Sequence, residues 1–256
     1  MYVSMKYIDN VALYIVIFLI YLVLWGRLES NPTCDLVIAR YNEDLKWLSQ
    51  IRRSKFDKIY VYNKGRPGFR PPLKGCITVD LPNVGREAHT YINHVIANYG
   101  KLGDVTVFLP GSCDMPTKWE TAKTVMKKAV ETADTAFAMH AEYDDVREVF
   151  YNFTVDDYQS LNESNRKANP ESELLKSPDR PFGEWYEKNF GRHVIKGVSY
   201  FGIFAASRKD IRKRSLRSYI NLIGYLNTHS SPEVAHYLER SWPAVFSHAH
   251  PSSHWN

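Results

Sequence analysis

The 256 residues are 44% hydrophobic, enough for one good core arranged as one or two domains. A net charge of +5, with its basic residues dispersed, is too weak to point to nucleic acid. The densest basic run (residues 208–214, RKDIRKR) reads as a solvated helix face, so no nucleic-acid partner is expected. Cys34, Cys76 and Cys113 are too few and too widely spaced for a disulfide framework or a zinc signature.

Residues 1–10 form a short tail. The following run at 11–25 (VALYIVIFLIYLVLW) carries no charge and, with its neighbours, approaches the length of a membrane span. It lacks a small-residue cleavage site downstream, which favours an uncleaved signal-anchor over 11–28 against a secretory leader. A buried core helix is the third reading, disfavoured because the run is apolar all round. Lys6 lies on one side and Arg27 on the other, so orientation is weakly set. The expectation is a single-pass membrane protein with its body lumenal if the short N-terminus stays cytosolic, the cytosolic face being the alternative. The sequons at Asn152 and Asn162 are compatible with that, although such triplets also arise by chance.

Residues 29–34 are a linker, and a domain spans 35–247. Residues 35–39 (DLVIA) predict a strand and 44–53 a helix. Strands follow at 58–62 (KIYVY) and 77–80, then a helix over 86–99 with Ala88, Tyr91, Ile92, Val95 and Tyr99 as its apolar stripe. A strand at 105–109 (VTVFL), a helix at 118–132 and a strand at 135–139 continue the alternation. Residues 143–181 read as a polar excursion over the sheet. A strand at 198–206 (VSYFGIFAA) and helices at 209–226 and 232–246 complete the domain, and 248–256 is a flexible tail containing His248, His250 and His254. This β-α alternation predicts a Rossmann-like α/β fold, a mostly parallel sheet flanked by helices.

In such a sheet, ligands bind beyond the carboxyl ends of the strands. Four strand-end clusters gather there: Arg40-Tyr41-Asn42-Glu43-Asp44; Asn63-Lys64-Gly65; Asn83, Gly85, Arg86 and Glu87; and Pro110-Gly111-Ser112-Cys113-Asp114. The third joins a glycine turn to the start of a helix, where unpaired N–H groups and the helix dipole suit a phosphate. It equally suits an ordinary tight turn with a surface arginine. Each of the others also has a plain reading: Asn42 or Asp44 as a helix cap, Gly65 as a turn. Together they supply cations, carboxylates and amides at one edge.

The last helix divides by spacing. Val234, Leu238, Ser241, Trp242 and Val245 share the arc expected to be buried, while Glu233, His236, Tyr237 and Arg240 share the opposite arc. The second arc reads as exposed surface or, if the helix N-terminus points into the site, as an acid-base group centred on Glu233 and tuned by His236. No G-x-G-x-x-G, Walker loop, H-E-x-x-H or G-x-S-x-G is present.

The strings I-A-R-Y-N-E-D-L-x-W-L, V-Y-N-K-G, N-V-G-R-E-A-H-T-Y, V-T-V-F-L-x-G, F-G-I-F-A-A-S-R and E-x-x-H-Y-L-E-R-S-W, in that order over residues 35–246, resemble a glycosyltransferase-like family of long-uncharacterised domains found in fungi, algae, bacteria and large algal viruses. More distantly, the N-x-G-R segment resembles rhamnan-synthesis-type glycosyltransferases. The resemblance implies a GT-A-like fold and a nucleotide-sugar donor, UDP-linked and carrying a neutral sugar such as xylose, with a glycan hydroxyl as acceptor. It implies a donor site containing Ala39, Arg40, Tyr41, Asn63, Lys64 and Arg86, with Asn42, Asn83, Gly85 and Glu87 beside them. Asp114 falls where the fold holds the second Asp of a D-x-D motif for Mn2+ or Mg2+. Here the first Asp is missing, which leaves metal dependence open. Glu233 corresponds to a late-helix acidic position that serves as acceptor-activating base. A non-catalytic nucleotide- or carbohydrate-binding module on the same fold is the alternative.

Overall fold

The computed structural model describes residues 14–21, 31–138, 140–156 and 174–246. It divides into two units, Met1–Pro32 and Thr33–Asn256. In the first, residues 14–21 are helical and exposed. Among the described residues no helix is long and apolar enough to cross a membrane. The rest of the anchor expected over 11–28, like the sequon at Asn162 and the histidine tail, lies outside the described residues.

The second unit is a mixed α/β domain. Its strands are β1 (Cys34–Arg40), β2 (Lys58–Asn63), β3 (Ile77–Asp80), β4 (Val105–Pro110), β5 (Ala136–Phe137), β6 (Ala141–Glu142), β7 (Gly197–Val198) and β8 (Phe204–Ser207). Its helices are α1 (Arg86–Asn98), α2 (Pro116–Thr132), α3 (Val146–Val149), α4 (Phe182–Phe190), α5 (Arg208–Lys213), α6 (Leu216–Gly224) and α7 (Glu233–Phe246). Six strands form one sheet in the order β3-β2-β1-β4-β8-β5. The first four are mutually parallel, whereas β8 runs antiparallel to both β4 and β5. A separate antiparallel pair joins β6 to β7.

Alternate side chains of the central strands go to opposite faces, and both faces are covered. Val37, Ala39, Tyr60, Tyr62 and Phe108 pack with α1, α4, α6 and α7. Leu36, Ile38, Ile59, Val61, Val107 and Leu109 pack with α2 and the 3-10 turn Lys46–Gln50. The edge strand β3 has only one covered face, which is why its residues are largely exposed.

Several expected elements take another form. The helix expected over 44–53 is two 3-10 turns, Lys46–Gln50 and Arg53–Lys55. Leu45 precedes the first with φ 57°, a left-handed conformation that a continuous helix cannot contain. The strand expected at 135–139 is only Ala136–Phe137. The strand expected at 198–206 is broken, because β7 pairs in the small sheet and β8 in the large one. The chain changes sheet through a 3-10 turn, Tyr200–Gly202, in which Phe201 has φ 71° and Gly202 φ 64°. The helix expected over 209–226 is two helices, because Arg214 is extended and Ser215 caps α6 by accepting the Ser218 N–H. Helix α7 is buried on nearly every side rather than along one arc: Glu233, His236 and Tyr237 are all buried.

Candidate functional site

Strand order places a reversal between β1 and β4: the chain leaves β1 toward β2 and β3 on one side and returns to β4 on the other. In open α/β sheets ligands bind beyond the carboxyl ends of the strands at such a reversal. The register sets Ala39 beside Pro110, and Gly111 N–H donates to Ala39 O at 2.6 Å. All four strand-end clusters therefore lie along one edge, as the sequence suggested.

Arg40 is folded into its own loop. Its guanidinium donates to Glu43 O (2.7 Å), Tyr41 O (2.8 Å) and Asn63 Oδ1 (2.5 Å), and lies 3.5 Å from the centre of the Phe69 ring. Asn63 passes the network on, donating to Asp80 Oδ1 at 2.6 Å. Gly65 allows this closure, since a Cβ there would lie 2.0 Å from Tyr41 O. Asn42 is exposed, and Asp44 is the residue that caps the next turn, accepting the Lys46 N–H at 2.9 Å.

Lys64 is also turned inward. Its ammonium donates to the carbonyls of Val84 and Arg86, and burial pushes its pKa down to about 7. It braces the turn at the head of α1 rather than standing open as a cation. That turn is strained: Gly85 has φ 60° and Arg86, with a full side chain, φ 52°. A Cβ on Gly85 would lie 2.7 Å from both Leu226 O and the His89 side chain, so only glycine fits. Gly85 N–H donates to His229 O at 2.7 Å. Asn83 and Arg86 are half-buried beside this turn, and Arg86 Nε lies 3.7 Å from Glu87 Oε2.

Carboxylates enter the edge from three directions. Glu43 accepts the Tyr41 N–H through Oε2 at 2.7 Å and sits where a Cβ on Gly111 would be, 2.7 Å from the same oxygen. Glu87 lies against Gly202, whose Cβ would be 3.1 Å from Glu87 Cγ. Glu239, from the middle of α7, accepts the Phe201 N–H through Oε1 at 2.8 Å. The turn at Phe201 and Gly202 is thus flanked by two carboxylates. Tyr91 ties it down by donating to Gly202 O at 2.9 Å. Burial holds the Tyr91 hydroxyl well above its ordinary pKa, and Glu87, Glu239 and Glu43 all add to that shift.

Glu233 has a different setting. It is fully buried at the start of α7, with its two oxygens accepting the N–H of Val155 (2.8 Å) and of Ser177 (2.9 Å). Arg180 Nε adds an ion pair at 3.0 Å. A carboxylate engaged this fully anchors chain segments 155 and 177–180 to the helix. His236 is buried too, and burial first, then Arg86 and Arg240, lowers its pKa to about 3, so its ring is neutral.

Asp114 is exposed in the turn before α2, next to the buried Cys113, and Lys118 Nζ donates to Ser112 Oγ at 2.9 Å. Among the described residues no group of three or more His, Cys, Asp or Glu side chains is placed to hold a metal ion.

Sequence reasoning overlooked Glu239. It falls outside both arcs drawn on the last helix, and its only signal was its place in the E-x-x-H-Y-L-E-R-S-W string. Fold and site together define a mixed α/β protein whose polar strand-end loops, bearing carboxylates and arginines, gather beside a sheet switch point. The chain belongs to the family described as Protein of unknown function (DUF3431), which matches it over residues 36–254. No curated protein matches the sequence.

Proposed function

We propose that this protein is a GT-A-like glycosyltransferase that moves a sugar from a nucleoside diphosphate donor, UDP-linked and neutral as in UDP-xylose, to a glycan hydroxyl. The observation that carries the reading is the strained turn at Gly85 and Arg86. It brings an arginine and the first turn of α1, whose N–H groups have no acceptor within the helix, to the carboxyl edge of the sheet. Such a site favours a diphosphate and stabilises charge as it leaves. Lys64 and Arg40 contribute by fixing the turn and the β1 loop. A Mn2+ or Mg2+ ion would be held by Asp114 together with the phosphates, and would supply further positive charge there.

The uncharged run at 11–25, eight of whose residues form the exposed helical stretch 14–21, supports membrane attachment with the domain on the lumenal side. Asn152 is exposed, as a glycosylation acceptor must be. Because Asp114 stands alone, a non-catalytic nucleotide- or carbohydrate-binding module is the second reading.

The two readings separate in one screen of nucleotide sugars, with and without Mn2+, following release of the nucleoside diphosphate. Turnover with one donor, and a loss of donor affinity of about tenfold or more in Arg86→Ala, is the expected result for the enzyme. Donor binding without turnover by any sugar indicates the module, and unaltered donor binding by Arg86→Ala removes the assigned site.

A further inference from the structure

Glycosyl transfer to a hydroxyl needs a proton acceptor, and Glu233, the residue expected to fill that role, has both oxygens engaged by main-chain amides and an arginine. We propose that Glu239 is the proton acceptor of this site, an assignment that rests on the glycosyltransferase reading.

Helix α7 and the 3-10 turn Tyr200–Gly202 pack against each other, and that turn also packs against β4. Because β8 is antiparallel to β4 with Phe204 opposite Phe108, residues 201–203 lie beside the carboxyl end of β4, next to the switch point. Glu239 reaches this turn, and its Oε1 is fixed by the Phe201 N–H. Among the described residues no donor engages Oε2. Glu87, which lies against Gly202, is paired instead with Arg86. One carboxylate on this edge is therefore held at a single oxygen and left with the other for a ligand.

Its electrostatic surroundings fit the task. Burial raises the Glu239 pKa, and Glu87 raises it further; the Phe201 N–H, Arg86 and Arg240 oppose the shift. Tyr91 and Tyr200 face the same carboxylate from α1 and from the turn, and Lys118 lies 5.4 Å from the centre of the Phe201 ring. A carboxylate held above its ordinary range takes a proton more readily, as a proton acceptor must.

The step is a single displacement. The acceptor hydroxyl gives its proton to Glu239 as its oxygen bonds to the anomeric carbon. The bond from that carbon to the diphosphate oxygen breaks, and its electron pair leaves with the nucleoside diphosphate beside Arg86. The sugar inverts its anomeric configuration.

The test uses the full chain and the donor found active in the screen. Glu239→Gln keeps an acceptor for the Phe201 N–H, so its melting should match wild type. It should lower kcat about a hundredfold or more, leave the donor KM within about threefold, and abolish the acid limb of the pH–rate profile. That limb should lie above the range of an ordinary carboxylate, with activity lost as pH falls through the Glu239 pKa. Formate should restore part of the rate in Glu239→Ala. Glu239→Gln with wild-type kcat, or with an unchanged acid limb, would overturn the assignment. If wild type turns over no donor, the transferase reading fails. The geometry is then read by isotope-edited infrared titration of the Glu239 carboxyl. Titration above the ordinary carboxylate range, lowered by Glu87→Gln, upholds the site, and titration within the ordinary range overturns it.

Discussion

Two glutamates six positions apart on α7 illustrate how burial and partners separate roles at the level of single residues. Glu233 accepts two main-chain N–H groups and pairs with Arg180. A carboxylate in that position is an anchor, because both of its oxygens are already engaged by groups from other chain segments. Replacing it by alanine leaves the Val155 and Ser177 amides without their acceptor and Arg180 with Asp156 alone, at a cost of about 3 kcal/mol. Urea denaturation of Glu233→Ala should show a correspondingly lower midpoint with an unchanged slope, and a midpoint equal to wild type would contradict the anchoring role. The cations separate in the same way. Lys64 and Arg40 spend their donors on carbonyls and on Asn63, and Arg86, half-buried on the strained turn itself, pairs with Glu87.

At the scale of elements, two short turns decide where the chemistry-bearing groups stand. The first, at the head of α1, holds consecutive residues with positive φ. Gly85→Ala would place a methyl group 2.7 Å from Leu226 O in a left-handed conformation, and should cost about 3 kcal/mol. Arg86→Gly should do the opposite, raising stability by about 1 kcal/mol as left-handed strain is relieved, while weakening donor binding. Chemical denaturation of the two variants alongside nucleotide-binding calorimetry checks both statements. A Gly85→Ala protein as stable as wild type would mean the turn can relax. The second turn, Tyr200–Gly202, moves the chain from the small sheet to the large one and presents the Phe201 N–H to Glu239. Its left-handed pair of residues is the physical reason one apolar stretch became two strands.

For the molecule as a whole, stability should depend steeply on acid pH. His89, His94 and His236 are buried, and burial is the main cause that lowers their pKa values from 6.5 to about 4, about 3 and about 3. Between those values and 6.5 the unfolded chain binds protons that the folded chain refuses. The stability is therefore complete above pH 6.5 and is lost progressively as pH falls toward 3. With three such groups the slope reaches about 4 kcal/mol per pH unit. Urea midpoints at pH 7, 6 and 5 should fall accordingly, and His94→Gln should reduce the slope by about a third. A flat profile from pH 7 to 5 would show that these rings are charged inside the fold.

Periodicity and turn chemistry made much of the fold legible. β1, β2, β3, β4, α1 and α2 fall close to their expected positions, because long apolar runs and helical stripes report local burial directly. The gathering of four strand-end clusters on one edge was also readable, since a parallel β-α alternation permits little else. Pairing partners were not. That β8 joins the sheet antiparallel, and that the stretch ending in it divides between two sheets, depends on hydrogen bonds to distant strands that leave no period in the chain. The roles of individual polar residues were equally hidden. Glu233, Lys64 and Arg40 have the composition of a binding site, and only the fold reveals that their charges are consumed internally. Glu239, with no distinguishing neighbours in sequence, acquires its position from the turn that meets it. The chain's own order of residues determined which groups could reach the carboxyl edge; tertiary packing decided which of them remained open there, because desolvation and hydrogen-bond partners are properties of the folded surroundings.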